Sequence, residues 1–365
     1  MFLHHLEIRK FRCFSYKEFI FSKQFTLIIG NNGTGKTSLA EAIYYLCYMK
    51  SFRSHNVNDL IEHKADSFFL KGTFTNVFLG HDSNVIQVGY SNKKKAIKLN
   101  SKSITTYKEL FENFQSIILM EDDIYLIKGS PSERRSFIDQ AALFLNSTYA
   151  ETYRNFKRIV QQRNSFLQNQ KEHFLESEIW TEKLWAASIT IQDQRQETLS
   201  QIEEKVNGFL IKFFDAPFEI HIQYDAIKMV KNEVFSDFKI RCFSLFEQEK
   251  LFKRSLFGAH LDDFHITIKN HNARFFASRG QQKLVSLLCK LALMDIAKQN
   301  SYLPVLIIDD FIADFDSIKL IHIMKLLSFY KNQVIIITPF YDEELKKIIG
   351  SVDPDVIFMK NEFVI

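Results

Sequence analysis

Three short stretches of this chain carry residue types that can do chemistry. The first is "GNNGTGKT", residues 30 to 37, which fits GxxxxGK[ST] with Gly30, Gly35, Lys36 and Thr37. Glycines at this spacing let successive backbone N–H groups turn inward as an anion nest. A helix that follows adds the positive end of its dipole. Asn31, Asn32, Gly33, Thr34 and Ser38 complete the loop. Lys36 would then reach the β- and γ-phosphates of ATP or GTP, and the Thr37 hydroxyl would ligate Mg²⁺. The second stretch, "VLIIDDFIADFD", is an apolar run that ends in Asp309 and Asp310. Asp309 is placed to hold Mg²⁺ through water and Asp310 to lie near the attacking water. The catalytic candidates are therefore Lys36, Asp309 and Asp310. The third stretch is "SRGQQ", in which Ser278, Gly280 and Gln281 precede or open a helical pattern. A serine, a glycine and free amides at a helix start make either a further anion site or an ordinary cap.

These stretches need elements to hold them. "QFTLIIG" before the glycine loop is a short continuous apolar run, the pattern of a buried strand, and "FLHHLEIRKF" before it alternates. A helix is predicted over about 36 to 48, with Leu39, Ala42, Ile43 and Leu46 on one face. Residues 66 to 104 alternate and predict antiparallel strands. From 131 to 213 there is almost no glycine and the spacing is helical, with Ser130 as a cap ahead of Pro131. A helical hairpin is expected there. Strand patterns return at "FEIHIQY" and "HITIKN", and then a helix over 281 to 298 precedes "PVLIIDD" and "NQVIIIT". The order predicts an α/β ATPase domain made of 1–122 and 256–365, interrupted by a mainly helical lobe at 123–255.

Composition narrows the class. At 365 residues the chain exceeds the usual single-domain size, and a net charge of +4 confines any nucleic-acid contact to local patches. Cys13, Cys47, Cys242 and Cys289 form no CxxC pair, which reads as reduced thiols in a reducing compartment. No apolar run approaches the ~20 residues of a membrane span, and "MFLHHLEIRKFRCF" is charged and alternating, unlike a signal peptide. A cytoplasmic, nucleoid-associated protein with no membrane partner is expected.

The order of these motifs resembles the ABC-type ATPases: "NGTGKT" their Walker A, "SRGQQ" their signature, "LIIDD" their Walker B, "ADFD" their D-loop. Within that superfamily the chain resembles the RecF family, relatives of SMC heads. The marks are "LEIRKFRCF", "LIKGSPSERRSFID" and "FASRGQQKLVSLLCKLA", and the resemblance spans almost the whole chain. It implies an ATP-sandwich homodimer in which Ser278 and Gly280 act on the nucleotide of the other copy. It also places Arg12 near the adenine or phosphates and Asp316 in the D-loop. It implies binding to duplex DNA at single-stranded gaps, and action with RecO and RecR to help RecA load. Several residues depart from the family pattern. Glu121 replaces the proline of "PEDL", Ala259 and Leu261 replace the Pro and Arg of "GPHRDD", and Pro339 follows Thr338 with no switch histidine. Asp310 is one methylene shorter than the usual glutamate. These departures fit slow hydrolysis, as in a timed clamp. The alternative is a regulatory ABC-type ATPase that acts on a protein partner.

Charge patches supply the DNA candidates. Residues 91 to 108 hold Lys93, Lys94, Lys95, Lys98, Lys102 and Lys108 without an acid, as a solvated hairpin or a phosphate contact. On the helix at 150 to 166, Arg154, Lys157 and Arg158 share a face, with Arg163 further along and Phe156, Ile159 and Val160 opposite. Arg134 and Arg135 could bind DNA, but pairing with Asp122 and Asp123 is the preferred reading. "HLDDFH" (His260, Asp262, Asp263, His265) is read as structural rather than metal-binding, because His260 and His265 would face opposite sides of a strand. Trp180 and Trp185 are expected to pack.

Overall fold

The computed structural model describes residues 1–75, 83–104, 110, 113–169, 174–300, 302–312, 315–339 and 341–360. The chain divides into two units. One is Met1–Asp123 with Lys212–Asp215 and Ala297–Ile365; the other is Ile124–Ile211 with Ala216–Ile296. In this division residues 256–296, the Ser278 stretch included, group with the helices rather than with the nucleotide loop.

The first unit begins with β1 (Phe2–Phe11), β2 (Phe14–Ile20), β3 (Phe25–Ile29) and α1 (Lys36–Tyr48). β4 (Ser67–Thr75), β5 (Ser83–Ser91), β6 (Lys94–Leu99), β7 (Lys102–Ser103) and β8 (Ser116–Met120) follow. The alternating stretches make an antiparallel sheet in the order β2-β1-β4-β5-β6-β7. The β5–β6 turn is the pair Asn92–Lys93 with φ of 49° and 59°, the left-handed turn that suits a two-residue hairpin. Among the described residues α1 is buried well beyond the predicted stripe: Ala40, Glu41, Tyr45 and Cys47 are covered as well as Leu39, Ala42, Ile43 and Leu46. The reason is its position. It packs on β1, β4 and β5 of one sheet and on β8 and β12 of another, so no face is left for water.

The second unit opens with α2 (Tyr125–Lys128), α3 (Pro131–Leu145), α4 (Tyr149–Asn169) and the long α5 (Phe174–Phe214). β9 (Ile220–Asp225), α6 (Phe235–Arg241), α7 (Phe243–Phe252), β10 (Asp263–Ile268), β11 (His271–Asn272), α8 (Ala273–Phe276) and α9 (Arg279–Gln299) complete it. Pro131 takes the first position of α3 as expected, and the Glu133 carboxylate accepts the Ser130 amide at 2.6 Å. A core of Ala142, Tyr149, Phe156, Leu184, Ile191, Phe238 and Phe257 draws the helices together, with Trp185 packed on Phe235 and Phe238. The short helices α6 and α7 carry no clear helical stripe and were not legible as such in the sequence.

The chain returns to the first unit through β12 (Val305–Asp309), α10 (Ser317–Phe329), β13 (Val334–Thr338), α11 (Glu343–Gly350) and β14 (Asp355–Phe358). These strands complete a parallel sheet in the order β14-β3-β13-β12-β8. β3, β12 and β13 are buried at every position, which explains their continuous apolar runs. Among the described residues no helix is long and apolar enough to cross a membrane. The four cysteines are free thiols; Cys47, Cys242 and Cys289 are buried and Cys13 is half-buried.

Candidate nucleotide site and the charged motifs around it

In parallel α/β sheets ligands collect beyond the carboxyl ends of the strands, and here β3 runs directly into the glycine loop. Gly33 and Gly35 have φ of 85° and 92°, a region that a side chain makes costly. A Cβ on Gly30 would meet the Met359 carbonyl and Thr34 Oγ1 at 2.7 Å, and one on Gly35 would meet Cys13 Sγ at 2.6 Å. The loop is thus packed from behind while Asn31, Asn32 and Gly33 are exposed. The Thr34 hydroxyl donates to the Asn31 carbonyl at 3.0 Å. Lys36 is buried, and its Nζ donates to the carbonyls of Gly30 at 2.7 Å and Asn31 at 3.1 Å. α1 starts on Gly35 with no side-chain cap and no acid in its first turn. Its first amides, those of Lys36, Thr37 and Ser38, are the donors that an anion takes up.

The Walker B pair arrives from β12, where Asp309 is registered against Ile337 of β13 and Met120 of β8. The Thr37 hydroxyl hydrogen-bonds Asp309. Burial, with a smaller contribution from neighbouring Asp310, pushes the Asp309 carboxyl up to about 6. Asp310 has φ of 54° and is also raised, first by burial and then by Glu121, with Lys36 opposing. Oδ1 of each aspartate is buried without a hydrogen-bond partner. Two orphaned carboxylate oxygens beside a phosphate-type loop fit a divalent cation carried by a nucleotide. Thr37 and Asp309 are the residues that would hold Mg²⁺, which would supply charge neutralisation on the phosphates.

Several neighbours escaped the sequence reading. Glu41, fully buried on α1, takes Arg12 in a bidentate pair with both bonds at 2.7 Å. Arg12 also donates to the Asp59 carbonyl at 2.7 Å, so its guanidinium ties α1 to the turn at Val57–Leu60. Arg53 lies 3.8 Å from Glu41 and close enough to Asp309 to oppose its raised pKa. The available signal was one acid inside the apolar run "SLAEAIYYL".

Ser278 in the second unit caps α9. Its hydroxyl accepts the Gln281 amide at 3.3 Å, while Gln281 Oε1 accepts the Ser278 amide at 2.9 Å. Ser278, Arg279 and Gly280 are exposed, and nothing stands within 4 Å of a Cβ on Gly280. Asp316 caps α10 by accepting the Lys319 amide at 2.9 Å, and Lys319 holds its carboxyl below the usual range. Residues 313 and 314 of the D-loop stretch lie outside the described residues.

Two motif arginines differ from expectation. Arg134 and Arg135, expected to meet Asp122 and Asp123, are spent within the second unit. Arg134 forms a bidentate pair with Asp263, both bonds at 2.7 Å, and donates to the Gly129 carbonyl at 2.8 Å. Arg135 donates to the Asp262 carbonyl at 2.7 Å. The Asp262 carboxylate accepts from Tyr224, Gln192 and the Ile227 amide. Asp139 accepts from Tyr149 and from the buried Arg195, which also donates to the Ala259 carbonyl at 2.6 Å. "HLDDFH" is architectural, although His260 lies in the turn before β10 and not on the strand that was expected to carry both histidines: His265 pairs with Asp225 at 2.9 Å, and burial lowers His260 to about 4. Asp123 accepts the Met120 amide at 2.7 Å and so stabilises the turn after β8.

The DNA candidates sort by face. Strand alternation sends Lys94 and Lys98 outward with the turn residue Lys93 and exposed Lys102. Lys95 points the other way, donating to the Met49 carbonyl at 3.1 Å with its ammonium 5.4 Å from the Tyr45 ring centre. Lys108 lies outside the described residues. On α4, Arg154, Lys157 and Arg158 are exposed and Phe156 is buried, as the spacing predicts. Arg163 is not part of that face: it is buried against Glu249, Ser255 and Thr181.

A phosphate loop on a parallel sheet, a strand-end acid pair and a signature-like capped helix define an ABC/SMC-type ATPase head. The solved SMC head of Pyrococcus furiosus shares this fold, with a TM-score of 0.59 at 18% identity over 99% of this chain and 94% of that one. Residues 2–350 match the model described as RecF/RecN/SMC N terminal domain, and the chain belongs to the RecF family. The DNA replication and repair protein RecF of Acholeplasma laidlawii is 28% identical over 91% of this chain and 92% of its own. A solved RecF–ATP complex, a recombination mediator of the RecFOR pathway, aligns with a TM-score of 0.82. Its identity is 25%, over 93% of this chain and 92% of that one.

Proposed function

We propose that this chain binds ATP with Mg²⁺ and closes as an ATP-sandwich homodimer on duplex DNA at single-stranded gaps. Slow hydrolysis of ATP releases it. Its role is in recombinational repair and replication-fork maintenance, where with RecO and RecR it assists RecA loading. The observation that carries the nucleotide part is the pair of orphaned oxygens on Asp309 and Asp310, set beside Thr37 and Lys36. Gly30 to Ser38 cradle the phosphates, while Asp310 is the group for the attacking water. Ser278, Gly280 and Gln281 close on the nucleotide of the other copy, with Arg12 and Asp316 bordering the site. The RecF relatives support the DNA part, as do two exposed cationic sets, Lys93, Lys94, Lys98 and Lys102 on the hairpin and Arg154, Lys157 and Arg158 on α4.

The test is retention on gapped duplex DNA, with and without ATP, across a salt series. ATP-dependent retention whose logarithm falls steeply with log salt, by about 0.9 per phosphate neutralised, supports the proposal. No retention even at low salt would overturn the DNA part.

A further inference from the structure

The motif "KGSPSERRSFID" does no chemistry in the site described, yet the second unit spends its best hydrogen bonds on it. Following the chain from the nucleotide site shows what it joins. β8 ends at Met120, registered against Asp309, and Glu121 follows within electrostatic reach of Asp310. Asp123 caps that turn and is succeeded at once by α2. α2 packs against α3 and against α8. Arg134 of α3 then holds two things together, the Gly129 carbonyl at the end of α2 and both carboxylate oxygens of Asp263 at the start of β10. Gly129 is obligatory here, since a Cβ would overlap the Glu133 carboxylate and the Tyr125 carbonyl.

From Asp263 the path is continuous to the signature. β10 pairs with β11, the Asn272 side chain accepts the Arg274 amide at 3.0 Å to start α8, and α8 leads to Ser278. Gln282 of α9 reaches back, donating to the carbonyls of Ala273 at 2.8 Å and Arg274 at 3.2 Å. Within the second unit the Ser278 stretch is therefore tied to α2 by short helices and one planar, bidentate guanidinium, and α2 follows Asp123 directly in the chain.

We propose that Arg134, locked on Asp263, is a positioning residue that couples the nucleotide-linked turn at Glu121–Asp123 to the Ser278 helix. Its guanidinium is buried and committed to Asp263 and the Gly129 carbonyl. The proposal rests on the ATPase reading above.

The test uses the full chain and ATP, with Arg134→Ala, Arg134→Lys, Asp263→Asn and the double Ala variant of both positions. Affinity is read with a fluorescent ATP analogue, turnover by steady-state hydrolysis, and folding by thermal unfolding. The expected result is nucleotide affinity within about twofold of the parent while kcat falls about tenfold or more. Arg134→Lys should recover part of kcat, and the double variant should be no worse than either single one, because both break the same bond. Asp263→Asn keeps the shape of the side chain and guards against a variant that simply fails to fold. A folded Asp263→Asn with unchanged kcat would overturn the proposal. So would a parallel fall of affinity, kcat and thermal stability in every variant. An inactive parent chain would instead overturn the ATPase reading and this coupling with it.

Discussion

Two clusters in this chain are built from the same residue types and wired in opposite ways. Around the phosphate loop, Asp309 is buried and Asp310 half-buried, their carboxyls are pushed upward, and each keeps a buried oxygen without a partner. In the second unit Asp139 and Asp262 are buried and Asp263 half-buried, and their carboxylates accept from Tyr149, Arg195, Tyr224, Gln192, the Ile227 amide and Arg134. An orphaned buried carboxylate is costly and persists where something outside the chain supplies the missing charge. A saturated one specifies how helices meet. The difference separates ligand chemistry from architecture where sequence motifs alone look alike.

That contrast can be broken most easily at Arg195, whose side chain is 1% exposed and pairs with Asp139 at 2.8 Å. Arg195→Ala leaves Asp139 charged and uncompensated, so a loss of about 3–5 kcal/mol is expected in denaturant unfolding. A loss below about 1 kcal/mol would mean that water enters the network and that it is not architectural. Lys36→Ala should do the reverse. It removes the loop cation from a ligand site, so ATP affinity should drop at least about 100-fold, near 3 kcal/mol, with the unfolding midpoint almost unmoved. Unchanged ATP binding would end the nucleotide reading.

Asp309 gives a third expectation, with a sign. Its folded carboxyl ionises near 6, above the unfolded value, so the unfolded chain loses this proton first as pH rises. Stability from this group is therefore present at low pH, falls between about pH 4 and 6, and stays reduced above. Asp309→Asn should stabilise the ATP-free chain at pH 7.5 by about 2–3 kcal/mol, a gain that vanishes near pH 4. The same variant should lose the stabilisation that Mg²⁺–ATP gives the parent chain. Thermal unfolding at both pH values checks it; a gain independent of pH would point to packing instead of charge.

What was legible in the sequence follows from how local each feature is. The phosphate loop, the Asp309–Asp310 strand end and the buried runs of β3, β12 and β13 are contiguous, so their pattern survives in one dimension. The Ser278 cap is made within four residues, and the sequence showed it as one of two readings beside an anion site. The partners of Arg134 and Arg135 were not legible, because Asp263 and Asp262 lie 129 and 127 residues away and Asp122 and Asp123 looked nearer. Arg163 matched the spacing of an exposed face but found Glu249, 86 residues on, and turned inward. Glu41 could not be paired with Arg12 until the β1–β2 turn was laid against α1. β14 and α11 are short, and a four-residue strand at a sheet edge has too few positions to show a period.

The smallest expected effect bears on the same distinction at the surface. Lys94, Lys98 and Lys95 lie within five residues of one another, but only the first two face water; Lys95 is held by the Met49 carbonyl and the Tyr45 ring. If the hairpin meets DNA phosphates, Lys94→Gln with Lys98→Gln should weaken retention a few-fold and lower the log–log salt slope by about two. Lys95→Gln should leave that slope alone and instead cost about 1 kcal/mol at the end of α1, where the ammonium meets a helix-terminal carbonyl. Equal slopes for the double variant and the parent would assign the outward lysines to solubility and edge protection. A changed slope for Lys95→Gln alone would show that burial in this hairpin does not decide which cation is free to meet a phosphate.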